Sequence, residues 1–176
     1  GGFPVPNHRG HELTVISTEM GDVLYECLKA YDACWSPDGT EVAYWLSQAG
    51  SKQLTVWNLQ TGDVIPLASH TDLAYGPHYS PDGGLLAFPV YRYTREPSDS
   101  GEVWVVSRAD GSAVRVYENA GHPEPLAWTV DGDACWLRRE PQRGGRIVLL
   151  DVRSVPPRAL LDFDTLQTSP VDAPRL

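Results

Sequence analysis

Three histidines with acidic neighbours are the first residues in this sequence that could do chemistry. His70, His78 and His122 lie near Asp72 and Glu124, and imidazole and carboxylate groups serve both as metal ligands and as proton carriers. The intervals between them, however, follow no metal-ligand motif. We therefore expect no metal ion and no other cofactor at these residues.

Motifs for catalysis do not occur in the sequence. It contains no Gly-x-Ser-x-Gly elbow, no His-Glu-x-x-His and no Gly-rich phosphate loop before a helix. Cys27, Cys34 and Cys135 are an odd number of thiols without Cys-x-x-Cys spacing, so we interpret them as buried thiols and leave one disulfide open. We predict that the chain itself is not an enzyme.

Length and charge narrow the class of protein. With 176 residues the chain has enough apolar material for one compact domain and little for two. Its 14 basic and 23 acidic side chains give a net charge of −9, which disfavours a nucleic acid partner. The sequence has no apolar run long enough to span a bilayer and no visible signal peptide.

The elements that must position any functional side chain come from a repeat. A Ser-Pro-Asp-Gly turn recurs in exact or weakened form at residues 36–39, 80–83, 129–132 and 169–172. The intervals of 44, 49 and 40 residues are typical of a stacked or circular array. Proline sets the first corner, aspartate bonds back to nearby amides and glycine takes the left-handed conformation. We therefore interpret Asp38, Asp82 and Asp131 as turn residues.

Strand-length apolar segments alternate with these turns. They lie at residues 12–16, 53–57, 102–106 and 146–150. Residues 54–57 and 147–150 lack apolar–polar alternation, so both faces of these strands are expected to be covered. One four-strand unit is predicted at 75–79, 85–90, 103–106 and 113–117. Aromatic residues at equivalent places are predicted to form the core between sheets: Trp35, Tyr44, Trp57, Tyr79, Phe88 and Trp128.

No helical periodicity supplies a layer to cover these strands, so the cover must be other sheets. Small antiparallel sheets arranged radially make a β-propeller, which also protects most strand edges. The predicted fold class is therefore all-β, a β-propeller of four-stranded antiparallel blades.

Three segments in the middle of the chain resemble a known family. They are residues 56–62 (Val-Trp-Asn-Leu-Gln-Thr-Gly), 69–72 (Ser-His-Thr-Asp) and 79–83 (Tyr-Ser-Pro-Asp-Gly), and they look like the repeat of WD40 and TolB-type (PD40) β-propellers. The resemblance extends from about residue 12 to residue 176. It implies a binding platform, and it implies that the histidines at positions 70 and 122 are structural.

Counting the repeats leaves the blade number open. After an N-terminal lead of residues 1–10, a single propeller domain is predicted over 11–176, with repeats at about 11–28, 30–69, 74–118, 125–161 and 162–176. Three full repeats plus a blade made from both termini would give about four blades. Alternatively, the chain is part of a longer propeller, or two copies complete a larger ring.

Function is expected at the connections from second to third strands. Two neighbouring loops are rich in arginine and tyrosine, the residue types enriched at interface hot spots. The candidate partner-binding residues are Tyr91, Arg92, Tyr93, Arg95, Arg138, Arg139 and Arg143. We predict that this patch selects an acidic segment of a protein partner. In the competing interpretation these arginines pair with Glu96, Asp99 and Glu140 in a solvated loop.

The leading functional prediction is a non-catalytic scaffold for protein–protein interaction. The alternative is an accessory or gating propeller, either of a prolyl-oligopeptidase-like hydrolase or of a periplasmic TolB-like complex. TolB-like propellers are commonly exported, whereas no export signal is visible here, so the compartment stays open.

Overall fold

The structure, a computed structural model, describes residues 12–92, 100–120, 122–139, 146–154 and 156–162. Strands are the only regular elements among these residues. They form four antiparallel sheets. The first sheet contains β1 (Glu12–Ile16) and β2 (Val23–Leu28). The second contains β3 (Ala30–Trp35), β4 (Glu41–Gln48), β5 (Ser51–Asn58) and β6 (Val64–His70). No helix able to cross a membrane is found among the described residues.

The other two sheets follow in chain order. The third contains β7 (Leu73–Ala74), β8 (His78–Tyr79), β9 (Leu85–Arg92), β10 (Ser100–Ser107) and β11 (Ala113–Ala120). The fourth contains β12 (Glu124–Trp128), β13 (Ala134–Arg139), β14 (Arg146–Asp151) and β15 (Arg158–Asp162). In the second and fourth sheets the spatial order of the four antiparallel strands equals their chain order, as predicted. In the third sheet β7 and β8 both pair with β9 and together take the place of the first strand.

The recurring turn is built as predicted. Gly39, at φ 71°, ends the first copy, and Asp38 Oδ1 accepts hydrogen bonds from Ser36 Oγ at 2.7 Å and from the Thr40 amide at 3.0 Å. Asp82 and Asp131 repeat this bonding in the third and fourth sheets. The hydroxyl and amide donors hold the pKa of each aspartate below its ordinary value. Their role as turn residues is thus confirmed.

The core lies between consecutive sheets, in three layers. Val15 and Trp57 belong to the layer between the first and second sheets, Trp45 and Phe88 to the next, and Leu137 to the last. Apolar side chains project from both faces of the second and third sheets because each of these sheets packs against two neighbours. This is the radial packing expected of propeller blades.

Two details of the predicted core are wrong. Trp35 is 53% exposed and lies beside an open groove instead of inside a layer. On β14, Val148 is buried, while Ile147 is 38% exposed. No described sheet covers the outward face of the fourth sheet, so β14 alternates between buried and exposed positions although its sequence does not.

Candidate functional site

The predicted first strand of the third sheet, residues 75–79, is interrupted in the structure. β7 and β8 pair separately with β9, and the chain leaves the ladder between them at Gly76 and Pro77. Pro77 cannot donate a backbone hydrogen bond, and glycine weakens a strand, so the interruption follows from the local sequence. A gap therefore opens beside β9.

Side chains of the second sheet hold the interrupted segment in place. Trp45 Nε1 donates to the Tyr75 carbonyl at 3.2 Å, and Tyr31 Oη donates to the Ala74 carbonyl at 3.2 Å. The Gly76 amide donates to Asp32 Oδ2, also at 3.2 Å. Backbone groups that lost their ladder partners are thus satisfied by three side chains, which makes the interruption an ordered feature.

A cavity of about 340 Å³ lies at this interruption, between the third and fourth sheets. We call it the inter-sheet cavity. Its lining residues are Tyr75, Gly76, His78, Pro89, Tyr91, Glu124 and Pro125. A Cβ placed on Gly76 would lie 3.7 Å from His78 Nε2, so a larger side chain there would take up cavity space. The volume falls in the range of small ligand pockets.

The rings around the cavity are packed against one another. Tyr91 lies with its ring centroid 5.4 Å from that of Tyr75 and 4.6 Å from that of His122, and its hydroxyl donates to the Pro123 carbonyl at 3.3 Å. Burial lowers the pKa of His78, and the negative charge of Glu124 opposes this shift only in part. His78 is therefore neutral at pH 7 and presents an uncharged imidazole.

The charged part of the cavity wall is an ion pair across the fourth sheet. Glu124 and Arg138 are register partners on β12 and β13, and Arg138 Nη2 donates to Glu124 Oε2. Both side chains remain partly exposed. Glu124 thus lines the cavity as a carboxylate whose charge is balanced by Arg138.

A second charged cluster surrounds a buried carboxylate of the third sheet. Glu102 is 1% exposed, its oxygens accept hydrogen bonds from Arg115 at 3.0 Å and Trp104 Nε1 at 2.7 Å, and it forms an ion pair with Arg92 at 3.1 Å. Burial opposes its ionisation, but these donors and charges outweigh burial, so the pKa of Glu102 lies below its ordinary value. Arg92 also pairs with Asp72 at 3.2 Å. This cluster orders the end of β9.

The candidate partner-binding residues are divided between these two places. Tyr91 lines the inter-sheet cavity, Arg138 borders it through Glu124, and Arg92 lies in the Glu102 cluster. Arg139 belongs to β13, and its side chain lies outside the described residues, as do Tyr93, Arg95 and Arg143. The alternative partners Glu96, Asp99 and Glu140 also lie outside them.

The histidines have packing contacts. His70 packs edge-on against Phe88 and Trp104, with ring centroids 5.8 and 4.8 Å away, and burial lowers its pKa. Among the described residues, no group of three or more His, Cys, Asp or Glu side chains could hold a metal ion.

The cysteines are unpaired in the structure. All three are free thiols, of which Cys135 is buried and the other two are partly buried. Burial raises the pKa of Cys34 and of Cys135 to about 12, so neither thiol is a nucleophile at neutral pH.

Sequence reasoning missed Glu102 and Tyr75. A glutamate at the start of a strongly apolar strand is a usable signal, because such a carboxylate must find cationic or hydrogen-bonding partners when the strand is buried. Tyr75 was assigned to a continuous strand, and only the Gly76–Pro77 interruption brings its ring to the cavity.

Comparisons with known proteins agree with the class that this architecture defines, a β-propeller. No protein-family model matches the chain. The uncharacterized peptidase YuxL of Bacillus subtilis (strain 168) is 27% identical over 120 residues, which cover 64% of this chain and 18% of that protein. The Tol-Pal system protein TolB of Anaeromyxobacter dehalogenans (strain 2CP-1 / ATCC BAA-258) is 33% identical over 81 residues, which cover 46% of this chain and 17% of that protein.

Solved structures show the same fold at low identity. Pyrococcus horikoshii acylaminoacyl peptidase superposes with a TM-score of 0.69 at 13% identity, over 86% of this chain and 28% of that one. The β-propeller domain of the Trilobed protease from Pyrococcus furiosus superposes with a TM-score of 0.62 at 12% identity, over 86% of this chain and 48% of that one. These likenesses show that the chain has a β-propeller fold. The chain spans about a fifth of the length of the curated relatives it matches.

Proposed function

We propose that this chain is a non-catalytic β-propeller module that binds a protein partner through its loop face. The loop face is the end of the sheets where second strands lead into third strands and fourth strands lead into the next sheet. The observation that carries the proposal is the inter-sheet cavity, which is lined by Tyr75, Tyr91 and Glu124, with Arg138 paired to Glu124 at its border. Tyrosine and arginine around a pocket are typical of interface hot spots.

We propose an acidic segment of the partner as the ligand of the loop-face arginines. The side chain of Arg138 is 43% exposed and that of its present partner, Glu124, is 37% exposed, so Arg138 can turn to a carboxylate of a partner. Exposed ion pairs contribute little to stability, so loosening this pair costs little. Arg92 is 48% exposed but also pairs with the buried Glu102, so it keeps that pair and offers a partner only its exposed part.

Binding of a fluorescein-labelled acidic peptide, followed by anisotropy, tests this proposal. The peptide carries glutamate and tyrosine only. Arg138→Gln should weaken binding about tenfold, the effect of losing one hot-spot contact. Arg153→Gln is the matched control, because Arg153 is also ion-paired but bonds to Asp82 and Asp133 at the opposite end of the sheets. Equal binding by the wild type and the Arg138 variant would remove the loop-face arginines from the proposal.

A second candidate function is an accessory propeller of a larger protein, of the peptidase or TolB kind. It is favoured by the similarity to YuxL and to the acylaminoacyl peptidase. Sequencing the coding region in which this chain lies is the direct test. A hydrolase domain encoded in frame would support the accessory role, and a reading frame confined to propeller repeats would favour the binding module.

The number of blades belongs to the same proposal. We propose that β1 and β2 belong to a further blade beside the three larger sheets, so that the described sheets are part of a ring of about four blades. Light scattering after size exclusion should then give a monomer of 19.4 kDa. A stable dimer would instead favour the larger ring shared by two copies.

A further inference from the structure

A second cavity lies at the opposite end of the sheets from the loop face. It also measures about 340 Å³ and runs across the first strands of three consecutive sheets. We call it the aromatic groove. Its lining residues are Cys34, Trp35, Pro37, His78, Tyr79, Pro81, Ala127 and Trp128. Apart from His78, these side chains offer mainly aromatic and apolar surface.

The repeat builds the groove. Trp35, Tyr79 and Trp128 each lie one residue before the recurring turn, so the second, third and fourth sheets each contribute one aromatic side chain at the same position. Neighbouring turns lie close together. A Cβ atom added to Gly83 would lie 3.9 Å from Pro37 Cδ in the turn of the second sheet, and one added to Gly132 would lie 3.6 Å from Pro81 Cδ in the turn of the third sheet. Aromatic rings and prolines therefore form one continuous surface over three sheets.

Two of the three aromatic side chains are held by hydrogen bonds. Trp128 Nε1 donates to the His78 carbonyl at 3.1 Å, and Tyr79 Oη donates to Glu41 Oε2 at 3.2 Å. Trp35 differs, because it is 53% exposed and its indole N–H makes no hydrogen bond within the described residues. An exposed tryptophan with a free donor, beside a preformed apolar groove, is typical of a binding surface.

The electrostatics of this end favour a cationic partner. Arg108 and Arg153, in the connections that follow β10 and β14, reach the first-to-second-strand turns and pair with some of the carboxylates there. The carboxylates are those of Asp38, Glu41, Asp82, Asp131 and Asp133. Five negative against two positive groups leave this end acidic, in a chain of net charge −9.

We propose that the aromatic groove binds a basic, proline-rich segment of a protein partner in the polyproline II conformation. Proline rings of such a segment pack against Trp35, Tyr79 and Trp128, and the Trp35 indole donates to a backbone carbonyl that this conformation leaves unpaired. Arginine or lysine residues between the prolines face the turn carboxylates. Polyproline II segments are already extended before binding, so little conformational entropy is lost.

Fluorescence anisotropy with a labelled peptide of three Arg-Pro-Pro triplets tests this inference. The wild-type chain should bind it, and Trp35→Ala should weaken binding at least tenfold. Leu28→Ala, which removes an apolar side chain that is also exposed but lies on the first sheet, should leave the affinity unchanged. A peptide of Arg-Ala-Ala triplets should bind at least tenfold more weakly because it lacks the proline rings and the preformed backbone.

Three outcomes would overturn the inference: no binding of the Arg-Pro-Pro peptide, equal binding of the Arg-Ala-Ala peptide, or an unchanged affinity in Trp35→Ala. A Glu-Pro-Pro peptide that bound as well as Arg-Pro-Pro would refute the charge argument. The inference is independent of the loop face, so Arg138→Gln should not alter binding of the Arg-Pro-Pro peptide. Failure of one proposal is thus distinguishable from failure of the other.

Discussion

Replacing Trp57 by alanine tests how the first sheet is held to the second. The Trp57 side chain is 6% exposed, and its ring stacks on that of Tyr25 with centroids 4.4 Å apart and planes 14° from parallel. Removing a buried tryptophan costs about 3–5 kcal/mol, of which stacking accounts for about 0.5–1.5 kcal/mol. The described part of the first sheet is a hairpin that can close part of the space, so we expect about 3 kcal/mol.

Urea denaturation followed by far-UV circular dichroism measures this loss. Trp35→Ala is the matched control, because it removes the same side chain from an exposed position, and it should change the free energy of unfolding by less than about 1 kcal/mol. A double-mutant cycle of Trp57→Ala with Tyr25→Ala should give a coupling energy of about 0.5–1.5 kcal/mol. A near-neutral Trp57→Ala, or equal losses in both tryptophan variants, would refute radial packing at this layer.

Three further perturbations follow from the structure. Glu102→Gln should lower the free energy of unfolding, measured by urea denaturation, by about 1–3 kcal/mol. Glu118 pairs with the same Arg115 but is more exposed, so Glu118→Gln should lower the free energy of unfolding by less than about 1 kcal/mol. Gly111→Ala should cost at least about 1 kcal/mol more than Gly62→Ala, because both glycines have positive φ but only at Gly111 would a Cβ approach a backbone oxygen, to 2.8 Å. Burial keeps the pKa of His78 in the folded chain below the ordinary 6.5, so the unfolded chain binds more protons. The melting temperature should therefore fall as the pH drops below about 6.5. In thermal melts, His78→Gln should make the melting temperature depend less on pH.

The sequence was informative about the repeating unit because its signals are local. The turn at residues 36–39 needs only a proline, an aspartate that bonds to amides two residues away and a glycine at positive φ. Continuous apolar strands indicate sheets covered on both faces, and residues 54–57 are buried as that pattern predicts. The antiparallel four-strand unit could therefore be predicted before any coordinates.

Predictions that depended on one residue's neighbours were less successful. Trp35 has the same residue type and repeat position as Trp128, yet it is exposed beside a groove instead of packed in a core layer. Whether an arginine is already paired depends on which carboxylates face it. Arg92 on β9 and Arg138 on β13 pair with carboxylates on other strands of their own sheets or in a neighbouring connection. Sequence distance contains no information about such partners.

The amino-acid sequence by itself determined the strands, the turns and the radial packing, because hydrophobic periodicity and turn chemistry act over a few residues. Only the tertiary structure decided where the surface is concave. The inter-sheet cavity exists because the interruption at Gly76 and Pro77 meets Tyr91 and Glu124 from later strands. The aromatic groove exists because three turns come into register across separate sheets. Both sites join residues far apart in the chain, and only packing between sheets brings them together.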